Sequence, residues 1–435
     1  AKEETSKTPR NIFSHDHTRL LQQNDNENKL EIRSGSIPEE VAMLVSLETL
    51  AVIRASLNTS MNEFIPTTLA SLTKLESLTI SGNDELHGSL PSILGQLTRL
   101  SSLVIQNNKL LSGPIPSEIG LLINMTTIDF TGNKLSGSIP SELALVNTTI
   151  LALSNNSLTG SLPPALGNKT EFLILSNNSL SGALPTELGT LNSTYYLALG
   201  NNSFSGPIPS EIGLLNTSLL YFEAGHNNLE QALPTELGLL SSLRSLDVGN
   251  NSLTGPIPSE LGMMDSIETL NLRNNSFTGF IPSDLGMLGG SLRSLNLGNN
   301  ALTGFIPSEI GYWWGLTELN LANNPGLNGT IPYELGMMTF LSELHLKGTS
   351  LNGSIPEQVC LNNYNGVEMS IDCDVMECPG YYCGDCGCPP PPSASPSAYP
   401  TTEDGTPDYV LKSSNIYWEL LDEGCDIDDG CIKSH

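Results

Sequence analysis

Eight cysteines, six histidines and a large excess of carboxylates are the groups in this 435-residue chain with the most chemical potential. None is spaced for catalysis. There is no G-x-S-x-G, no phosphate-cradling glycine loop and no H-E-x-x-H, so acyl transfer, phosphoryl transfer and zinc hydrolysis each lack their signature. Only His15-Asp16-His17 brings histidines together, on a polar terminus. Asp426, Asp428 and Asp429 resemble part of a calcium loop, but Gly430 falls on a ligand position and no Glu follows at the required distance. Cys383-x-x-Cys386-x-Cys388 has the density of a zinc site. Against that, all eight cysteines (Cys360, Cys373, Cys378, Cys383, Cys386, Cys388, Cys425, Cys431) lie in the last 76 residues. An even count crowded at one end predicts disulfides and an oxidising compartment. The chain is expected to be no enzyme and to need no cofactor, with calcium left as an option through its acidic groups.

The remaining candidates are binding groups. Phe172, Tyr195, Tyr196 and Tyr221 fall on three successive repeat units among small neutral residues, either packing on one another or stacking a sugar or peptide. Arg244, Arg273 and Arg293 near Glu268 read as local ion pairing. Tyr312-Trp313-Trp314 replaces an apolar pair, which buries Trp313 and turns Tyr312 and Trp314 outward, toward a subunit contact or a covering tail. A row of acids follows Ser, Thr or Tyr: Glu118, Glu142, Glu187, Glu211, Glu236, Glu260, Asp284, Glu309 and Glu334. The row is expected either to begin helical turns capped by the Ser or Thr or to be a cation-bridged face.

These groups are positioned by a repeat. SLRSLDVGNNSLTGPIPSELG, SIETLNLRNNSFTGFIPSDLG and SLRSLNLGNNALTGFIPSEIG run consecutively, and a fixed period of this kind decides an architecture. With its Asn as the mark, the unit recurs thirteen times, at Ala55, Asn83, Asn108, Asn133, Asn156, Asn178, Asn202, Asn227, Asn251, Asn275, Asn300, Asn324 and Thr349. A unit cannot bury its own leucines, so neighbours must stack and their short strands pair in parallel. The Asn is expected to turn inward and satisfy backbone groups, a structural duty.

The pattern L-x-x-L-x-L-x-x-N-x-L-x-G-x-I-P resembles the plant-type leucine-rich repeat. That resemblance implies an α/β repeat solenoid of about thirteen coils with a parallel concave β-sheet, a second convex strand at Gly-x-Ile-Pro and a disulfide-rich C-terminal cap. Asp372-Cys373 followed by a close cysteine cluster is similar to the cap of secreted leucine-rich repeat proteins of diatoms. The organisation expected is an N-terminal segment or cap at 1–36, the solenoid at 37–359, a cysteine-rich cap at 360–388, a Pro/Ser/Thr-rich linker at 389–408 and a docking tail at 409–435 carrying Tyr417 and Trp418. Within the first segment, Ile12 to Leu30 has helical apolar spacing, and the cysteine pair usual in plant-type N-terminal caps is missing.

A formal charge of −28 disfavours nucleic acid and anionic membranes. No apolar run is long enough for a membrane span. Beginning at Ala1 fits a processed protein or a fragment. Sequons at Asn58, Asn124, Asn147, Asn155, Asn168, Asn177, Asn192, Asn201, Asn216, Asn250, Asn274, Asn328 and Asn352 agree with a secreted or cell-surface glycoprotein, although NNS repeats create several of them. The function expected is a structural, matrix or adhesive scaffold that assembles head to tail through its tail as a homo-polymer. The alternative is a receptor-ectodomain-like or inhibitor-like binder of a protein or polysaccharide, and ice or mineral binding is a minor third.

Overall fold

The computed structural model describes residues 21–24, 28–34, 37, 39–56, 65–164, 166, 169–361, 368–372 and 376–377. Each coil is built alike, and the one around Asn251 shows why. Leu246 and Val248 point inward from the inner strand Ser245–Asp247 and are fully buried. Neither could be covered by its own coil, so each packs on the leucines above and below in one continuous core. The chain then turns at Asn250, in the left-handed region at φ 55°. It next runs as the outer strand Ser252–Pro256 and enters a 3-10 turn at Ser259–Met263.

Stacking aligns inner with inner and outer with outer strands. Among the described residues the inner sheet has 16 strands and the outer 13. Apart from the first strand, pairing is parallel, and in register except for a slip between Ile32 and Ser34, for example Leu246 between Phe222 and Leu270.

The inner asparagines form the expected ladder. Asn251 donates from Nδ2 to the carbonyls of Ala224 (3.1 Å), Val248 (3.0 Å) and Gly249 (3.2 Å), and its Oδ1 accepts from Leu229 N–H at 3.0 Å. One side chain thereby satisfies backbone groups of two coils. Where Thr349 replaces Asn, its hydroxyl donates to Leu346 O at 2.8 Å.

The outer turns differ from the capping expected of them. The residue before each turn is an extended proline with no side-chain cap, as at Pro116, Pro209 and Pro258. The Ser or Thr is already inside the turn and bonds the carboxylate next to it, at 3.2 Å for Ser141 and Glu142. Proline wins the cap position because its fixed φ suits extended backbone and its carbonyl still accepts the first turn bond, Leu261 N–H to Pro258 O at 3.2 Å.

The ends also depart from expectation. Leu21–Asn24 and Lys29–Ser34 are strands, an antiparallel pair whose second member lies parallel to the first coil's strand, Thr49–Ser56. The described part of the expected Ile12 to Leu30 helix, at 21–24 and 29–30, is therefore strand, because an open sheet edge rewards a strand with a full row of hydrogen bonds. At the other end Glu368–Ser370 continues the inner sheet and Met376–Glu377 the outer one. Asp372 accepts the Gly348 N–H at 2.6 Å and closes the last coil. His15, Asp16, His17, Asn58, Asn168, Cys373, Cys378, Cys383, Cys386, Cys388, Tyr417, Trp418, Cys425 and Cys431 lie outside the described residues, as does the side chain of Cys360.

Candidate functional site

Parallel register turns each outward-facing strand position into a column across coils. One column runs through Ile150, Phe172, Tyr196, Tyr221 and Ser245. Tyr196 and Tyr221 meet edge to face with centroids 5.8 Å apart, and Phe172 meets Tyr195 in the same way at 6.4 Å. The four aromatics are thus brought together and pack on one another. Tyr195 keeps 42% of its surface, while the other three are half-buried.

Two residues along the same strands is a second column: Ala152, Ile174, Ala198, Glu223, Asp247 and Asn271. Glu223 and Asp247 are therefore direct cross-strand neighbours, beside the tyrosine pair. The Tyr196 hydroxyl hydrogen-bonds Glu223. Burial pushes the Glu223 carboxyl up to about 7; the Tyr196 bond pulls it back somewhat, and the charge on Asp247 raises it again. Burial also raises the Tyr196 phenol, aided by the charge of Glu223. Asp247 is held by Gly249 N–H at 2.9 Å and Asn271 Nδ2 at 3.0 Å, both to Oδ1.

A third position, Gly200, Gly225 and Gly249, leaves bare backbone beside the acids, and a Cβ on Gly225 would stand 3.0 Å from the Asp247 carboxylate. Arg273 follows in that column, its stem against Gly249. Of the expected ion pairs, Arg244 meets Glu268 at 3.6 Å, whereas Arg293 donates to Gly315 O at 3.0 Å. The arrangement is a shallow aromatic and acidic hollow without a nucleophile and base in line.

Sequence reading found the aromatics but missed Glu223 and Asp247. The signal was present, since aligning YLALG, YFEAG and SLDVG by their buried Leu or Phe puts the acids two residues past the tyrosine column.

The matching repeats are now in view. A family model described as Leucine Rich Repeat matches residues 124–145, 147–168, 169–191, 242–264, 266–288 and 291–313. The fold is that of a leucine-rich repeat solenoid. Among solved structures, the chain is similar to the plant peptide hormone receptor RGFR1 in complex with RGF2. That match has 27% identity and TM-score 0.65, covering 83% of this chain and 66% of the other. It is also similar to the leucine-rich repeat ectodomain of the Arabidopsis receptor kinase HAESA with an extended IDA peptide hormone. There the identity is 32% and the TM-score 0.63, over 77% of this chain and 59% of that one. A leucine-rich repeat protein of Leptospira interrogans matches at 28% identity and TM-score 0.57, covering 79% and 89%. The chain spans about three fifths to two thirds of the two receptor structures. No curated protein sequence matches it.

Elsewhere on the repeat surface, Tyr312 and Trp314 are 64% and 55% exposed, and the Trp314 indole lies over Gly290. Trp313 is buried, its Nε1–H donating to Leu285 O at 2.8 Å. Asn124, Asn147, Asn155, Asn177, Asn192, Asn201, Asn216, Asn328 and Asn352 are exposed; Asn250 and Asn274 are half-buried and bonded to each other. No three His, Cys, Asp or Glu side chains converge among the described residues. No helix among them is long and apolar enough to cross a membrane.

Proposed function

We propose that this chain is a non-catalytic, extracellular recognition protein whose concave face binds a protein or peptide ligand at the patch of Phe172, Tyr195, Tyr196 and Tyr221. The observation that carries the reading is the aromatic column itself. Large rings held edge to face on adjacent strands, among Ala and Gly positions, give a rigid contact surface that costs little side-chain entropy to use. Solenoids of the same repeat type, solved in complex with peptide hormones, support a peptide over a polysaccharide. The same likeness supports a location outside the cell, where the cysteines would be oxidised and the exposed sequons open to glycans.

The test is display selection of peptides on the whole protein, followed by titration of the selected peptide against Tyr195→Ala, Tyr196→Ala and Tyr221→Ala. Each substitution is expected to weaken binding by about 1–3 kcal/mol. Full affinity in all three would reject the patch, and enrichment on a glycan array alone would move the reading to a polysaccharide.

A second reading, a scaffold that assembles head to tail through residues 409–435, draws on the outer turns. In a 3-10 turn residues i and i+3 eclipse, so every acid of the row but Glu187, which meets Thr190, shares a face with an exposed apolar neighbour, as Glu236 does with Leu239 and Glu309 with Tyr312. The strip is a contact face once cations quench its charge, and calcium is the ion to try. Light scattering across concentration and calcium should then show oligomers that collapse when 389–435 is deleted. A strict monomer under all conditions would end this reading.

A further inference from the structure

We propose that the hollow formed by Tyr196, Tyr221, Glu223 and Asp247 takes the cationic head of a ligand side chain, an arginine guanidinium in preference to a lysine ammonium. The proposal rests on the concave-face reading above and names the chemistry that face selects.

Two half-buried carboxylates stand on neighbouring strands at one register position, where strand spacing is about 4.8 Å. No basic side chain is ion-paired to either among the described residues: Arg244 is taken by Glu268, and the two other ion pairs lie elsewhere, at Asp84 and at Glu343. The pair is mutually repulsive, and a cation placed between the carboxylates would relieve it. One Asp247 oxygen is held by Gly249 and Asn271, and Tyr196 takes only part of the accepting capacity of Glu223, so lone pairs remain for a donor.

The choice of an organic cation over a metal ion follows from the rest of the wall. A calcium ion would want six to eight oxygens, and no third carboxylate or histidine converges there. What stands beside the acids is the edge-to-face tyrosine pair, whose ring faces attract a cation, most of all a planar guanidinium that also reaches two carboxylates with its forked donors. Gly225 and Gly249 leave the backbone bare, so a flat group can lie close. Arg273 lies one strand further on, its stem against Gly249.

The charged and titratable groups around Glu223 are Tyr195, Tyr196 and Tyr221, then Arg244 and Asp247 on the next coil, Glu268 and Arg273 on the one after, and His226 at its own turn. Burial brings the Glu223 carboxyl up to about 7, so that it ionises near neutrality. Affinity for a cation should therefore rise as pH increases from 6 to 8 and Glu223 ionises.

The probe is the pentapeptide acetyl-Gly-Gly-Arg-Gly-Gly-amide, titrated by tyrosine fluorescence and NMR into the whole protein, with citrulline and lysine analogues alongside. Arginine is expected to bind at least tenfold more tightly than citrulline and severalfold more tightly than lysine. Glu223→Gln and Asp247→Asn should each cost about tenfold and Glu223→Gln should flatten the pH profile, while the outer-face double variant Glu118→Gln/Glu142→Gln changes nothing. Thermal melting confirms that each variant folds. Equal binding of citrulline, or equal loss in the outer-face variant, overturns the assignment. So does calcium that displaces the peptide at micromolar concentration, which would make the hollow a metal site. If Tyr196→Ala and Tyr221→Ala abolish binding of arginine and citrulline peptides alike while Glu223→Gln is silent, the concave patch stands and its cationic preference falls. Arginine binding retained by every variant removes both.

Discussion

At the scale of single residues, two side chains carry separable predictions. Asn251 joins backbone groups of two coils through four hydrogen bonds. Asn251→Ala removes the side-chain acceptor of the Leu229 N–H and one of two donors to the carbonyls of Ala224, Val248 and Gly249, which keep Asn227, Asn275 and the His226 N–H, so a loss of about 1–3 kcal/mol is expected in denaturant unfolding. A loss below about 0.5 kcal/mol would mean that water replaces the amide. Glu223 concerns acidity. Its folded pKa of about 7 lies above the ordinary 4.5, so the carboxyl favours the folded state fully below 4.5 and loses that contribution as pH rises through 7. Glu223→Gln should therefore melt above the parent protein at pH 8 and level with it at pH 5. The gap corresponds to at most about 3 kcal/mol, less where solvent reaches the half-buried group. An unchanged difference across that range would mean the carboxyl is not shifted. The asparagines also explain the abundance of sequons. In each N-N-S the second Asn builds the ladder, and the first takes the left-handed turn, as Asn177, Asn201 and Asn250 do at φ 57°, 52° and 55°. Asn tolerates that conformation better than other side chains, so these sequons arise from a folding requirement whether or not a glycan is attached.

The element scale is where stacking exacts its geometry. The Gly in S-E-x-G sits under the next coil's turn. A Cβ on Gly213 would lie 2.5 Å from the Glu236 carbonyl oxygen and 2.9 Å from its Cβ, with backbone that cannot step aside. Gly213→Ala should force adjacent turns apart at a cost of about 1–3 kcal/mol, read as a shifted denaturant midpoint. Gly137→Ala meets only Pro114 Cβ, at 3.6 Å, and pays chiefly for its φ of +77°. It should cost roughly 1 kcal/mol. Equal effects would show that turn contact is not limiting.

Element by element, the sequence was legible wherever the period held. The inner strands, the Asn ladder and the outer strands near Gly-x-Ile-Pro follow from one repeated line, because each coil faces the same neighbour on both sides. Legibility failed where that neighbour changes. Lys29 to Ser34 reads as a short polar stretch, and only the open edge of Thr49–Ser56 makes it a strand. The turn caps were misread for a related reason, since Ser and Thr are common caps in isolated helices while here a proline precedes them in every described turn from Thr67 onward. In the site, Tyr196 and Tyr221 stood out as large residues among small ones. Glu223 did not, because acids are frequent in a chain with 46 of them, and its meaning depends on cross-strand register with Asp247.

For the repeat body as a whole, the consequence of stacking is electrostatic. Seven carboxylates from Glu187 to Glu334 occupy one position on seven successive turns, Ser or Thr beside them in all but the last, where Tyr333 stands. Their coils repeat about every 4.8 Å, well within the screening length of about 8 Å at physiological ionic strength. The same registry that builds the core thus lines up like charges, and no ion pair among the described residues neutralises one of them. Removing alternate charges, with Glu211→Gln, Glu260→Gln and Glu309→Gln together, roughly doubles the spacing of those that remain and so weakens their repulsion, taking neighbours beyond the screening length at physiological ionic strength. The triple variant should melt several degrees above the parent in 20 mM salt, and the two should converge in 1 M salt, where screening acts within about 3 Å. The salt dependence is the discriminating part. A gain that persists in 1 M salt would come from packing or helix propensity, because those do not respond to ionic strength. No gain at low salt would mean that the side chains splay far enough into solvent for the row to carry no strain, and the outer face would then need no counter-ion before meeting a partner.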